Sequence, residues 1–358
     1  MSDSPTLDSR EWDVSVSICT YNRCSLLRQA LDSVLSQAIG HDQRYEVIVV
    51  DNNSTDDTKH LVHRYIAQGH TNLQYLFEGR QGLSYARGTA IAHARAPIVA
   101  FTDDDVRVAP DWVSSFKRAF DSHPEVAWVG GKVLPQWPAV LPRWMSREHW
   151  APLAILDFGD QPFHVTASQP RCLVGANLAL RKEVLNEMKG FEPSLQRVKD
   201  SIGSMDDHEL LMRLMKADRQ GLYAPDVVVT ADIPANRLSK EYHRRWHRGH
   251  GHFYALGKFE DLEQSDMGRL FGVPAHMYRQ AAIDALQWLR TIVRGDVNGA
   301  FAHELRLRFF AGFVRTRYQD SSEVRTGNRL TELGRFARSV SRTFLDRGFT
   351  GHGDSIRR

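Results

Sequence analysis

Cysteine is scarce in this chain of 358 residues, which contains three: Cys19, Cys24 and Cys172. Their odd number and the lack of any Cys-x-x-Cys spacing exclude a disulfide-stapled scaffold and favour a reducing compartment. No apolar run approaches the roughly 18 residues that would span a bilayer. The first residues, MSDSPTLDSREWD, lack the basic start and apolar core of a signal peptide. We therefore expect a cytoplasmic protein, with association at the inner face of the membrane left open.

Extreme composition is also absent, since 42% of the residues are hydrophobic and 25% are charged. These are the proportions of a soluble globular chain, and they exclude collagen-like, coiled-coil and wholly disordered classes. The length exceeds one ordinary domain and predicts a large catalytic domain with an appendage, or two domains. The net charge of +3 is unevenly distributed, because residues 301–358 carry 12 arginines against 6 acidic residues. The chain therefore has an acidic body and a basic tail.

The first hundred residues alternate short apolar runs with segments of helical period. This alternation predicts an α/β fold with a mostly parallel, Rossmann-like sheet flanked by helices. Such sheets bind ligands at the carboxyl ends of their strands. The predicted strands are Val14–Cys19, Tyr45–Val50, Leu73–Phe77, Pro97–Thr102, Val126–Val133 and Asp226–Ala231, with regular structure also expected at Cys172–Leu180.

The predicted organisation has four parts. They are a polar arm (1–13), a catalytic domain (14–235, with a donor half at 14–133 and an acceptor half at 134–235), a basic helical region (236–345) and a frayed tail (346–358). From about Pro274 onward only helices are expected. The first of them carries Met277, Ala281, Ala285, Trp288, Leu289 and Ile292 on one face, which predicts that this face is buried.

Carboxylates follow two of the predicted strands. Asp51 ends one of them, and Asp103, Asp104 and Asp105 come directly after another. Because adjacent like charges repel, three consecutive aspartates favour a bound cation, and their oxygen ligands suit Mn²⁺ or Mg²⁺ beside a diphosphate. The alternative is a solvated loop.

Five motifs in order resemble family 2 glycosyltransferases. They are SICTYNR, VVDNNSTDDT, GLSYARG with FTDDDV, VGANLALRKEVL and MDDHELLMRL, spread over Val16–Leu214. The resemblance implies a GT-A fold, a nucleoside-diphosphate-sugar donor, a divalent metal and an acceptor hydroxyl. UDP is the expected donor nucleotide. The acceptor is unknown, with a cell-surface polysaccharide, a glycolipid or a metabolite as expected classes.

The resemblance also implies residue roles. Thr20, Tyr21 and Arg23 would line the base pocket, and Asp51 would read the base. Arg80 and Arg87 lie in the segment that approaches the base or the phosphates. Asp103 and Asp104 would contact the ribose and the donor sugar, and Asp105 would hold the metal. The acceptor side would include Asn177. Apart from the resemblance, the Pro- and Trp-rich segment Pro135–Pro152 is interpreted as an ordered insertion near the site, which would bring Trp137 to the acceptor side, and the alternative is a packed surface loop.

A general base is expected where Asp206 and Asp207 open a predicted helix. Asp207 falls on the position of the family's base, and Asp206 replaces the family's Glu, so either could accept the proton. The resulting displacement would invert the sugar carbon. The alternative role for both carboxylates is to complement the positive end of the helix.

The segment KEYHRRWHRGHGHF, residues 240–253, concentrates histidine and arginine. His247 could complete the shell of the donor-site metal, while the alternative is a solvated basic face. The basic C-terminal helices could contact an anionic membrane or pack on the catalytic domain. Nucleic acid is not an expected partner.

Other classes remain as alternatives. A phosphatase could use the Asp-x-Asp of Asp103 and Asp105, and a carbohydrate- or nucleic-acid-binding module could use the arginine-rich second half without catalysis. A Rossmann oxidoreductase is excluded, because no G-x-G-x-x-G follows the first strand.

Overall fold

The computed structural model describes residues 11–138, 140–196, 202, 205–259 and 268–323. The chain divides into two compact units. The first is drawn from Met1–Gln136, Ala154–Pro193 and Asp206–Asp232, and the second from Trp137–Leu153, Ser194–Met205 and Ile233–Arg358. The predicted domain bounds stay predictions, and the expected tail at 346–358 lies outside the described residues.

The first unit is built on a sheet whose described strands number nine. Their order across the sheet is β3-β2-β1-β4-β8-β6-β9-β5, with β7 also paired to β9. The strands are β1 (Val14–Thr20), β2 (Tyr45–Asp51), β3 (Leu73–Phe77), β4 (Ile98–Asp103), β5 (Val106–Val108), β6 (Trp128–Gln136), β7 (Phe163–Val165), β8 (Asn177–Arg181) and β9 (Gly221–Asp232).

Most strands of this sheet point the same way. β1 to β4 are mutually parallel, and β8 lies antiparallel between β4 and β6. β9 is parallel to β6, while β5 and β7 run antiparallel to it. Six strands therefore share one direction, which confirms the predicted mostly parallel α/β sheet and places their carboxyl ends at one edge.

Helices of the first unit connect these strands. They confirm the flanking helices that the alternation of the sequence predicts. They are α1 (Cys24–Leu35), α2 (Thr58–Ala67), α3 (Leu83–His93), α4 (Trp112–Ser122), α5 (Lys182–Glu187) and α6 (Asp206–Lys216). The helical period of the apolar residues in α1 places them on one face, and Leu27, Leu31 and Val34 on that face are fully buried. Every residue of β2 is buried as well, as a strand covered on both faces requires.

Two short strands were missed, and the regular structure expected at 172–180 begins only at Asn177. β5 and β7 have three residues each, too few to show a period, and both exist because they pair with β9.

The described part of the second unit contains three long helices and a small hairpin. The helices are α7 (Lys240–Gly257), α8 (Ala275–Val293) and α9 (Val297–Glu323), and the hairpin joins β10 (Arg269–Leu270) to β11 (Val273–Pro274). In the described ranges, no helix is long and apolar enough to cross a membrane.

The buried face of α8 differs from the predicted one. Leu289 is 53% exposed and Ile292 is 49% exposed, whereas Asp284 is buried. The reason is electrostatic, since the Asp284 carboxylate accepts hydrogen bonds from Arg306 Nε at 2.7 Å and from His303 Nδ1 at 2.8 Å. A charged network therefore sets the orientation of this helix and leaves apolar side chains exposed.

His243 of α7 lies fully buried in an aromatic cluster of the second unit. The ring of Trp144 lies 5.0 Å from that of His243, 5.1 Å from that of His149 and 5.0 Å from that of Phe301. Desolvation, with repulsion from His247 and His149, lowers the pKa of His243 from 6.5 to about 4. His243 is therefore neutral in the folded protein near pH 7.

We predict that His243 makes the fold less stable as the pH falls. Between pH 6.5 and about 4 the unfolded chain binds a proton that the folded chain does not, so the contribution of His243 is present above pH 6.5 and is lost below it. His243→Phe should make the slope of unfolding free energy against pH less steep by about 1.4 kcal/mol per pH unit. Urea unfolding at several pH values measures this, and His93→Phe on an exposed part of α3 is the control. An unchanged slope in His243→Phe would contradict the prediction.

Candidate active site

Carboxylates and hydroxyls meet at the carboxyl edge of the sheet. The register places Thr20 beside Asp51 and Cys19 beside Asp103, so the last residues of β1, β2 and β4 are neighbours. The antiparallel β8 starts at this same edge, with Asn177 beside Thr102. The parallel topology thus assembles residues that are far apart in the sequence.

Asp104 is buried at this edge and held by two of the predicted site residues. Thr20 Oγ1 donates to Asp104 Oδ2 at 2.7 Å, and Arg23 Nη1 donates to Asp104 Oδ1 at 3.0 Å. The same guanidinium nitrogen reaches Asp105 Oδ2 at 3.2 Å. Burial raises the pKa of Asp104 to about 6, Arg23 opposes this shift, and the charges of Asp105 and Asp103 add to it. Thr20 and Arg23 therefore contact the run of Asp103, Asp104 and Asp105, called the aspartate motif below, directly.

The aspartate motif forms the turn between β4 and β5. Strand β5 pairs Val106 with Ala231. Beside that pair, the Arg107 guanidinium donates to both oxygens of Asp232 at 2.7 and 2.8 Å. Strands β4 and β5 therefore hold the motif on both sides. Arg107 supports β5 through its ion pair with Asp232, and sequence reasoning missed this residue.

Asp51 lies buried at the end of β2 with both oxygens engaged. Oδ1 accepts from the backbone N–H of Ser54 at 2.8 Å, and Oδ2 accepts from the Tyr75 hydroxyl at 2.8 Å. A carboxylate offers about four acceptor positions, so each oxygen keeps capacity for a further donor. Asp51 is thus held in one orientation and remains able to accept a hydrogen bond from a ligand.

The loop that carries Arg80 is anchored by Asn52, another residue that sequence reasoning missed. Asn52 Nδ2 donates to the Arg80 carbonyl at 2.7 Å, and Asn52 Oδ1 accepts from the Gly82 N–H at 2.7 Å. Gly82 has φ +142°, a conformation that favours glycine. The Arg80 guanidinium itself is largely exposed, pairs with Glu78 at 2.9 Å and lies over the Tyr85 ring.

The loops after β1 and β2 are tied together beside this site. Asn22, with φ +51°, accepts the N–H of Thr55 at 2.7 Å and donates its own N–H to Ser54 Oγ at 3.0 Å. Tyr21, between Thr20 and Asn22, is half-buried. The predicted base-pocket residues thus share one anchored loop, and their contact with a base stays a prediction.

Arg87 of α3 is buried between the two carboxylates predicted to supply the base. Its Nη1 donates to Asp206 Oδ2 at 3.0 Å and is also ion-paired with Asp207. Burial opposes the charge, but Asp207, Asp206 and Asp103 together raise the pKa of Arg87. Its guanidinium also lies 4.7 Å from the centre of the Phe191 ring. Arg87 therefore organises the predicted base, and the role expected for it toward the donor stays a prediction.

Gly175 completes the support of Asp207. Its N–H donates to Asp207 Oδ2 at 2.9 Å. A Cβ at this position would lie 2.5 Å from Asp207 Oδ2 and 2.5 Å from Arg87 Nη2. A side chain at position 175 would therefore displace the Asp207 carboxylate or the Arg87 guanidinium from the ion pair.

Asn177, Trp137 and His247 complete the set of predicted site residues. The Asn177 amide is fully buried, accepts from Trp112 Nε1 at 2.7 Å and donates to the carbonyls of Lys132 and Val227 at 2.8 and 2.9 Å. Its internal bonds give no support to an acceptor contact. Trp137 and His247 belong to the second unit, where His247 Nδ1 bonds the His243 carbonyl at 2.8 Å. Their proposed roles at the acceptor and the metal remain predictions.

The aspartate motif fits a divalent cation by its donor set. It offers carboxylate oxygens at a strand end, which suit Mn²⁺ and Mg²⁺. The Asp105 side chain is 16% exposed and that of Asp104 is 5% exposed, so Asp105 is the more accessible of the two. Cys19 offers no competing thiolate, since burial raises its pKa to about 12.

Comparison with known proteins supports the family resemblance and the fold. Residues 15–189 match the model of glycosyl transferase family 2. This part of the chain belongs to that family, as its motifs predicted.

A curated relative and two solved structures are similar to the chain. A glucosyl-dolichyl phosphate glucuronosyltransferase of Haloferax volcanii is 26% identical over 190 residues, which are 52% of this chain and 58% of that protein. The chain therefore spans little over half the length of this relative.

The two structures show the fold. Mannosyltransferase PcManGT from Pyrobaculum calidifontis, in complex with GDP-Man and Mn²⁺, has a TM-score of 0.50 and 20% identity over 94% of this chain and 84% of that chain. S. aureus TarS 1–349, in complex with UDP-GlcNAc, has a TM-score of 0.51 and 18% identity over 88% of this chain and 93% of that chain. The fold is the predicted GT-A fold with C-terminal helices.

We predict that removing the Arg87 charge destabilises the fold severely. Arg87→Met leaves the buried Asp206 without this cation, and breaking a buried ion pair costs about 3–5 kcal/mol. Arg80→Met is the matched control, because the Arg80 guanidinium is 67% exposed and its pair with Glu78 should contribute little to stability. Urea unfolding of both variants measures the difference. Equal, small losses would show that Arg87 is not the counterion on which Asp206 depends.

Proposed function

We propose that this protein is a metal-dependent, inverting glycosyltransferase. It transfers a sugar from a nucleoside diphosphate, UDP in the first place, to an acceptor hydroxyl. The observation that carries the proposal is the grouping of Asp51, the aspartate motif and Asp207 in one unit. Arg23 binds the motif, and Arg87 binds Asp207. Family membership over residues 15–189 supports the same reaction class.

The donor site is assigned to the loops after β1, β2 and β4. Asp51 accepts a hydrogen bond from the base, while Asp103 and Asp104 face the ribose and the sugar. Tyr21 and Arg80 flank these groups. The free acceptor capacity of Asp51 suits a ring N–H, which both uracil and guanine carry. UDP is taken first because TarS, a protein of similar fold, binds UDP-GlcNAc. GDP is the alternative, since PcManGT binds GDP-Man.

Asp105 is the residue assigned to hold the metal, Mn²⁺ or Mg²⁺. A divalent cation neutralises the charge that develops on a leaving diphosphate without a proton transfer. Arg23, bound to both Asp104 and Asp105, keeps these carboxylates in place.

Asp207 is the preferred general base. Its side chain is 21% exposed, whereas that of Asp206 is 1% exposed, so an acceptor hydroxyl can reach only Asp207. Arg87 and the Gly175 N–H fix its two oxygens, and Asp206 balances the Arg87 charge from the buried side. Asp207 then takes the proton of the acceptor hydroxyl as that oxygen attacks the sugar carbon opposite the leaving diphosphate.

Contact with an anionic membrane is proposed for α8. Leu286, Leu289 and Val293 are more than half exposed and fall on one side of this helix, bordered by Arg290 and Arg294. Apolar side chains beside arginines suit the interface of an anionic bilayer. Cosedimentation of the full chain with anionic and with neutral vesicles tests this contact, and equal binding to both would contradict it.

We predict that Asp207→Asn lowers turnover by about 10²- to 10⁴-fold, the range for a lost general base. The assay measures release of nucleoside diphosphate from UDP- and GDP-sugars with Mn²⁺ and a panel of hydroxyl acceptors. Glu209→Gln is the matched control on the same helix, since Glu209 pairs with Arg213 at 2.6 Å and should leave turnover nearly unchanged.

A measurement of donor affinity distinguishes the loss of a general base from a folding defect. Asp207→Asn should bind the nucleoside diphosphate as wild type does, because Asp207 is assigned no contact with the donor. Near-normal turnover of Asp207→Asn would remove this residue from the role of base.

A further inference from the structure

A second group of metal-binding side chains lies outside the proposed active site. Among the residues that the structure describes, His123, Glu125 and His164 each offer one ligand atom, and these three atoms lie within 4.8 Å of one another. The three residues come from the loop between α4 and β6 and from β7. The centres of the two imidazole rings are 5.5 Å apart, and the rings meet edge to face.

Both histidines of this group approach the same oxygen, Glu125 Oε1. His123 Nδ1 lies 3.3 Å from Glu125 Oε1, and His164 Nε2 lies 3.8 Å from the same oxygen. Ligand atoms of a tetrahedral zinc site are about 3.3 Å apart when each metal–ligand bond is about 2.0–2.1 Å. Small side-chain rotations therefore suffice to bring the three atoms around one ion.

The loop that carries two of these ligands is held in place before any ion binds. The Arg181 side chain donates to the carbonyls of Val126 at 2.9 Å and Pro124 at 3.1 Å. The third ligand is on a strand, because His164 pairs with Leu222 of β9. Rigid supports on both sides reduce the ordering cost of binding.

The electrostatic surroundings favour a cation at this position. His123 is the residue that follows the last turn of α4, where the helix dipole is negative. The Glu125 carboxylate, with Oε1 3.3 Å from His123 Nδ1, adds negative charge at the same position.

We propose that His123, Glu125 and His164 form a binding site for Zn²⁺ or a similar divalent transition-metal ion. Two imidazole nitrogens and one carboxylate oxygen are a donor set that suits zinc, and the half-exposed side chains leave room for a water as the fourth ligand. This site lies at the start of β6, whereas the aspartate motif follows the end of the parallel β4. It is thus at the opposite edge of the sheet from the proposed donor metal.

Titration of the metal-free full chain with Co²⁺ tests the proposal. Excess Mg²⁺ is present throughout to occupy oxygen-only sites such as the aspartate motif. Wild type should bind Co²⁺ with the visible absorption of a four- or five-coordinate ion, and Zn²⁺ should displace it. His123→Ala/His164→Ala should lose this signal, and Glu125→Gln should weaken binding by at least about tenfold.

Two controls make the outcome decisive. His60→Ala/His93→Ala removes two exposed histidines of the same unit and should leave the signal unchanged. Asp105→Asn should also keep it, which distinguishes this site from the donor metal. Unchanged Co²⁺ binding in His123→Ala/His164→Ala, or its loss in Asp105→Asn, would overturn the proposal.

Discussion

Compensation of negative charge at the carboxyl edge of the sheet is the constraint on which the rest of the first unit depends. Parallel strands bring Asp51, Asp103 and the residues beside them to one line, where carboxylates repel. Arg23 binds the aspartate motif, and the buried Arg87 binds Asp206 and Asp207. Asp103 raises the pKa of both arginines, so the two ion-pair groups are electrically linked. The fold tolerates these acids because two cations are placed among them.

The proposed catalysis depends on the same arrangement. The acids around the two arginines are not equally exposed, since Asp206 is buried while Asp207 and Asp105 remain partly exposed. The more exposed carboxylates are those assigned to the proton and to the metal. Each shares its arginine with a buried neighbour, Asp207 with Asp206 at Arg87 and Asp105 with Asp104 at Arg23.

Much of this could be predicted from local sequence. Apolar runs such as 47–50 are typical of covered strands, and the acids that follow them lie where parallel strands end. Partners set by tertiary structure could not be predicted. Arg87 meets Asp206 across 119 positions, Asn177 turned inward to bond Trp112, and His164 reached His123 only because β7 pairs with β9. The prediction of which face of α8 is buried was wrong, because apolar periodicity carries no information about the ion pairs of Asp284.

The central claim is that the carboxyl edge binds a nucleoside diphosphate through a divalent metal. Calorimetric titration of the full chain with UDP, GDP, dTDP and CDP, each with and without Mn²⁺, tests it most directly. The account predicts that one of the four, UDP first, binds much more tightly with Mn²⁺, and that Asp105→Asn removes the difference. If none of the four binds in a metal-dependent way, the account is contradicted.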